Sequence, residues 1–597
     1  MVSTDSLLHP TDVKSSLIQA ALGEIPLDLV LSGGTVVDVY SGTTFEADVA
    51  IYRDRIVGIG RYDGVDCKRR LDVSSRYLIP GLIDAHMHIE STMLTPRALA
   101  EILIPRGVTT ILADPHEIAN VMGVKGIQLL LLIAEEAPLR VFVQVPSRVP
   151  TAPGLEDTGA SLGIAETQKL LNLEGAVSLG ELNFQHVLSL GREYLEKISL
   201  AESASKLVNG HMPGLSGREL NACLAAGLRD DHECVTQGEA LEKLRRGCAV
   251  MVREGTSERN LEDILAGIEC KLADTRGLLF CTDDKHPSDI LREGHIDFNV
   301  RKAIEIGIDP IKAIQMATIN TATHFRLDHE IGVLAPGRKA DVVVVEDVRT
   351  LQVSAVVFDG QLVYREGRML YSAKTPEVPE WALKTVRVSP DLSEEDLVIK
   401  VPDGTSEALV RVINLIPGQI INRETREWVK ATDGFLASDP SRDLLHIAVV
   451  DRHRATRQVG KAFVRGFGLT EGAIASSVAH DHHNIVVVGV SPADMLCAVK
   501  HLAETGGGFV AVRSGKVLAE LVLPLGGLIS LQSADDVVDS LDKLNETVMR
   551  ELGCSLESPF MQLEFVTLPT VPELGLTNRG LVNATKFEPV EPVISVR

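Results

Sequence analysis

Eight short apolar runs, separated by segments long enough for helices, constrain this chain more than any other feature. They lie at 78–84 (LIPGLID), 108–113 (VTTILA), 140–145 (RVFVQV), 176–180 (AVSLG), 207–210 (LVNG), 227–231 (GLRDD), 248–252 (CAVMV) and 278–282 (LLFCT). Buried parallel strands read as continuous apolar runs, and eight of them within about 250 residues predict a (β/α)8 barrel rather than an open doubly wound sheet. The first repeat shows the local logic. Thr95 and Pro96 supply a helix cap and first helical position, Gly107 ends the helix, and VTTILA follows as a strand.

β-rich sequence flanks this core on both sides, at 28–60 and again at 331–366 (IGVLAPGRKADVVVVEDV…VSAVVFDGQLVYREGR), and the two flanks are expected to pair. The Pro-, Glu- and Lys-rich stretch 374–393 reads as a linker to a further domain of mixed strands and helices. The predicted organisation is an extension at 1–27, β structure at 28–79, barrel at 80–329, β structure at 330–373, linker at 374–393 and a C-terminal α+β domain at 394–597. Gly506-Gly507-Gly508 lacks the strand-to-helix setting of a phosphate loop and reads as a turn.

Charge and cysteine usage narrow the function. Lys and Arg number 59 against 82 Asp and Glu, a net charge of −23, which disfavours polyanion and anionic-membrane partners and points to small molecules. The eight cysteines form no C-x-x-C pair, so neither a disulfide framework nor a thiolate zinc site is expected. MVSTDSLLHP lacks the pattern of a signal peptide and no run reaches ~18 apolar residues; a cytoplasmic location is expected.

Catalytic groups of such barrels sit at the C-terminal strand ends, and here those ends carry metal-type ligands. The first strand runs into Asp84-Ala85-His86-Met87-His88, the fourth into Glu181, the fifth into His211, the sixth into Asp231-His232-Glu233, and the eighth into Asp283-Asp284. Alternate strand residues share a side, so His-x-His aims two imidazoles at one ion. The register of His211, His232 and Asp283 with later strand ends makes coincidence a poor explanation. Imidazole with carboxylate suits Mn2+ or Fe2+ ahead of Zn2+.

PGLIDAHMHIE (80–90), followed by His, His and Asp at later strand ends, resembles the amidohydrolase superfamily. DPHEIANVMG (114–123), SLGELNF (178–184), NGHMPGLSG (209–217), DDHE (230–233), CTDDKHP (281–287) and AHDHHNIVVVG (479–489) resemble its bacterial adenine-deaminating branch, from about residue 28 to near 590. The resemblance implies that the flanks form a small β-sandwich. It implies two divalent metals, one held by His86, His88 and Asp283 and the other by His211 and His232, with Glu181 bridging where many relatives use a carboxylated lysine. It further implies hydrolytic deamination of free adenine at C6 to hypoxanthine and ammonia, in purine salvage, with Asp283 orienting and deprotonating the attacking water. The acid serving N1 stays open among Glu181, Glu117 and Asp284. His116 and Glu117, just past the second strand, are expected to face the pocket.

His480-Asp481-His482-His483-Asn484 crowds three histidines and an acid before the apolar strand IVVVGV. The reading taken is a loop reaching back over the barrel mouth, with His482 and Asn484 touching substrate; an extra metal site and a purely structural role are the alternatives. Rival functions are hydrolysis of a cyclic amide such as dihydroorotate or hydantoin, which expects a lysine where Glu181 stands, and a non-catalytic scaffold, which expects lost ligands. A homo-oligomer without nucleic-acid or membrane partners is expected.

Overall fold

The run at 78–84 makes two strands in two different sheets. The computed structural model describes residues 9–597 except 273, 372–376, 417–418 and 420. After a helix at Pro10–Leu22 come β1 (Leu27–Asp38), β2 (Thr43–Tyr52), β3 (Arg55–Gly60), β4 (Cys67–Asp72) and β5 (Tyr77–Pro80); the chain then steps into β6 (Leu82–Met87), the first barrel strand. Pro80 cannot donate to a ladder, and at Gly81 an added Cβ would lie 2.0 Å from Thr109 Oγ1. The sheet change therefore falls at the one residue small enough to pass.

The barrel continues with β7 (Val108–Ala113), β8 (Arg140–Val145), β9 (Ala176–Asn183), β10 (Leu207–His211), β11 (Asp230–Asp231), β12 (Ala249–Arg253) and β13 (Leu278–Cys281), each paired in parallel with the next. The strand read at 227–231 is thus confined to its last two residues. Helices follow the strands as expected: Thr95 Oγ1 caps Pro96–Leu103 by accepting from Ala98 N, and Gly107 closes the unit at φ 79°. The β6–β13 seam closes through a bridge between Met87 and Asp283. Asp283 N donates to His86 O (3.0 Å) and His88 N to Asp283 O (3.1 Å). Beneath them Asp84 accepts from the Thr282 hydroxyl (2.5 Å).

Past β13 the chain returns to β14 (Val342–Val345), β15 (Val353–Phe358), β16 (Gln361–Arg365) and β17 (Arg368–Met369). β14 pairs antiparallel with β5, matching Val343 with Ile79, so both flanks join in one nine-stranded sheet. All four valines of β14 are buried; each is worth about 1.5–3 kcal/mol relative to exposure, enough to tie the two ends of the barrel together.

The stretch read as a linker lies partly outside the described residues. Its remainder is packed: Ala382 and Val386 are buried, Gly526 N donates to Ala382 O and Arg387 N to Arg452 O. Apolar residues among the prolines and charges give it a face to bury. Beyond it a ten-stranded sheet carries helices Pro492–Thr505 and Ala534–Leu552. Gly506 caps the first of these at φ 87° and Gly508 opens the next strand, so the glycine run is a turn. A bridge from Leu94 to Ser530 joins this domain to the barrel. One described helix, His116–Ala134, is long and apolar enough to cross a membrane, and 67% of that stretch is buried inside the protein.

Candidate metal centre

His86 and His88 leave β6 on one side because strand residues two apart share a face. Their outer nitrogens fix their tautomers. Gln144 donates to Ala85 O through Nε2 (2.8 Å), so its Oε1 is the atom 2.5 Å from His86 Nδ1 and that nitrogen carries the proton. His88 Nδ1 donates to Asp114 O at 2.8 Å. Both imidazoles consequently turn Nε2 into the cavity, the atom left to serve a metal.

Two carboxylates meet these nitrogens. Glu181 Oε1 lies 3.0 Å from His88 Nε2 and 3.6 Å from His86 Nε2, and Asp283 Oδ1 lies 3.2 and 3.4 Å from the same atoms. An arginine secures each carboxylate by its other oxygen: Arg148 donates to Glu181 Oε2 (2.6 Å) and Arg253 to Asp283 Oδ2 (2.8 Å). His211 Nδ1 approaches Glu181 Oε2 from β10 at 3.3 Å, and His232, just past β11, stacks on His86 with ring centroids 4.3 Å apart. All six predicted ligands converge. Gly180 makes the approach possible, since an added Cβ would lie 2.1 Å from Asp114 Oδ2, the oxygen that accepts from Glu181 N (3.1 Å). Asp283 holds a left-handed φ of 58°, which non-glycine residues adopt at a cost and which recurs at functional sites.

The donor set fits divalent cations. His86 Nε2, His211 Nδ1, His116 Nδ1 and Asp114 Oδ1 are buried without a hydrogen-bond partner among the described residues, although each faces like ligand atoms. The ligand atoms of His86–His88–Glu181, His86–His232–Asp283 and Glu181–His211–His232 form groups within 4.8 Å. Burial opposes charge on His86, but the Asp283 and Glu181 carboxylates outweigh it and lift the imidazole to about 10. Burial likewise opposes charge on Glu181, and Arg148 with the surrounding imidazoles holds it well below the usual carboxylate range.

A cavity of about 1730 Å³, including its open mouth, lies over this cluster. Barrel residues His88, His116, Glu117, Asp283 and Asp284 form its floor, and Gln419, Ile421, His480, Asp481, Phe565 and Leu568 of the C-terminal domain form one wall. His116 stands 3.5 Å from Glu181 and 3.6 Å from Asp481. Glu117 accepts from His480 Nδ1 and, through its other oxygen, from His483 Nε2. His483 Nδ1 accepts from Ala479 N (3.2 Å), so its Nε2 bears the proton. Burial opposes charge on Glu117, while His480 and His483 hold it well below the usual range.

The 480–484 loop therefore does reach the cavity, but by different residues from those expected. His482 and Asn484 are buried away from it. His482 Nδ1 accepts from Asn484 N (3.0 Å), Asn484 Oδ1 from Arg452 N (3.2 Å), and the Asn484 amide donates to Asp157 O (2.8 Å). The carbonyls of His482 and His483 accept from His453 and Arg452. A sharply turning loop does not alternate faces, so adjacent residues gave no guide to direction. Sequence reasoning also missed Gln144, Arg148, Arg253 and Asp481. Gln144 and Arg253 lie within strands, where parity with the apolar residues was a usable signal; Asp481 offered none beyond the cluster itself.

An amidohydrolase family profile matches residues 77–363, and an adenine deaminase C-terminal domain profile matches 419–588. The chain is 45% identical over 577 residues to an adenine deaminase of Desulforamulus reducens, covering 97% of this chain and 98% of that protein. It is 44% identical to one from Desulfatibacillum aliphaticivorans, over 96% of this chain and 99% of that protein. A third, from Kosmotoga olearia, is 42% identical over 95% of this chain and 96% of its own length. With matching length, both profiles and the strand-end cluster in place, the chain belongs to the adenine deaminase family of amidohydrolases.

Proposed function

We propose that the protein hydrolyses adenine to hypoxanthine and ammonia. The observation that carries this reading is the convergence of four imidazoles and two arginine-anchored carboxylates beneath a cavity walled by the family's C-terminal domain. His86, His88 and Asp283 would hold one divalent ion and His211 and His232 a second, with Glu181 between them. Manganese or iron suits this thiolate-free set ahead of zinc. When bound, such ions supply the positive charge that brings the pKa of water from about 15.7 toward neutrality.

The chain's own groups do the rest. Asp283 orients the attacking water and takes its proton, while Arg253 keeps the carboxylate in place. Addition at C6 is completed by a proton at N1, and rupture of the C6–N6 bond by the proton taken from the water, which Asp283 passes to the departing amine; the proton lost as the C6 hydroxyl becomes the carbonyl restores the N1 acid. Of the three carboxyls open for N1, Glu181 is committed to Arg148 and the imidazoles, and Glu117 is held ionised by two imidazole N–H groups. Asp284, which accepts one hydrogen bond from Ser91 and lines the cavity, is left to carry that proton. Glu117 instead offers a fixed acceptor for N–H groups of the purine, and His116 orients the base beside it. Ile421, Phe565 and Leu568 limit water on the C-terminal side.

The test is direct: metal-reconstituted protein incubated with adenine should yield hypoxanthine and ammonia in equal amounts, with adenosine turned over far more slowly. Comparable rates with adenosine reject the free-base reading, and turnover of dihydroorotate or hydantoin without adenine rejects deamination.

A further inference from the structure

Behind Glu117 lies a second, smaller chamber. Glu117, Asp284 and His480 face both it and the adenine cavity, and Thr256, Met561 and Glu564 face both it and a cleft on the outer surface. It has room for about one water-sized molecule. The chamber is thus sized for a single molecule no larger than water or ammonia, and a purine cannot enter.

Its wall holds an unsatisfied acceptor. Glu90 is 5% exposed; its Oε1 accepts from Ile118 N (2.8 Å), while Oε2 is buried with no partner among the described residues. Leaving a buried carboxylate oxygen unpaired is costly. Glu117 and Asp284, which also face the chamber, each already accept hydrogen bonds, whereas Glu90 Oε2 accepts none among the described residues. A small ligand that donates hydrogen would complete Glu90.

We propose that this chamber is an ammonia subsite: the product released from C6, free or protonated, donates to Glu90 Oε2 and leaves toward the outer cleft while hypoxanthine still occupies the main cavity. The inference rests on the deaminase reading. It gives the smaller product a route that does not run past the purine.

The test uses the metal-loaded full chain saturated with hypoxanthine, unfolded thermally in ammonium chloride and in sodium chloride of equal concentration. Ammonium should raise Tm further by mass action, by about 2 °C or more, and Glu90→Gln should abolish that increment while keeping the rise due to hypoxanthine. If Glu90→Gln does not fold, Met561→Trp, which fills the chamber from the outer side, takes its place with the same expectation. No increment in the unaltered protein, or an undiminished one in the variant, overturns the subsite. Adenine conversion in the same preparation separates the two readings. Failure to form hypoxanthine removes the function, whereas normal conversion without the ammonium increment removes the subsite alone.

Discussion

The barrel and the C-terminal domain both bring histidines to one cavity, and they aim them by different means. His86 and His88 point together because a strand alternates its faces, and their hydrogen bonds to Gln144 and Asp114 only select a tautomer. His482 and His483 are adjacent in a turning loop, and they point apart because Arg452 and His453 hold the loop's carbonyls. In the barrel, direction is a property of position in the chain. In the loop it is a property of the tertiary contacts, and substitutions should divide along that line.

The largest effect belongs to the barrel. Glu181→Ala removes the carboxylate facing both His86 and His211, and metal content measured by elemental analysis should fall. The associated loss of several kcal/mol of transition-state stabilisation corresponds to roughly a thousandfold or more in kcat/KM. Full metal occupancy in that variant would break the assignment. Next comes the junction: Glu117→Ala, or His480→Ala with His483→Ala, should lower kcat/KM roughly 10–100-fold, the range typical of lost supporting contacts, with metal content unchanged. Loss of metal here would erase the distinction between the two regions.

Asn484→Ala should leave metal content and kcat near their starting values. It should cost about 2 kcal/mol of stability for its lost side-chain hydrogen bonds, read as a lower midpoint in urea. The smallest effect is one of pH. Burial, aided by the neighbouring His483, lowers the His482 pKa from 6.5 to about 3, so the folded chain keeps this imidazole neutral while the unfolded chain protonates it near pH 6.5. The unfolded state binds the extra proton; stability is complete above that value and declines as pH falls toward 3. Between pH 6.5 and 5.5 the loss is about 1 kcal/mol, and His482→Gln should flatten that slope in a Tm series.

The same division explains what could be read without coordinates. Residues whose direction follows from strand register, His86, His88, Glu181, His211, His232 and Asp283, were legible, as were the Thr95 cap and the Gly107 stop. The pairing of the two β flanks was legible because each has apolar strands that would stay unburied without the other. The run 78–84 was misread as one strand because apolarity does not reveal where a chain changes sheets, although Pro80-Gly81 marks the place. His482 and Asn484 were chosen over His480, Asp481 and His483 because nothing in five consecutive polar residues states which will turn toward the cavity. Arg148 and Arg253 were overlooked because a cation beside a cation site looks misplaced until its role of holding a carboxylate is visible.

The hydrogen bond between Glu117 and His480 joins residues 363 positions apart. On the ribosome, at roughly 5–20 residues per second, that span takes roughly 20–70 s. For the last 197 of those residues, from Asp283 to His480, the nascent barrel owns every strand-end ligand it will ever have, yet not the groups that orient Glu117. A half-made chain can therefore present its metal-type ligands early but gains a finished pocket only once the C-terminal domain has been made, so that a working pocket reports that this domain is in place.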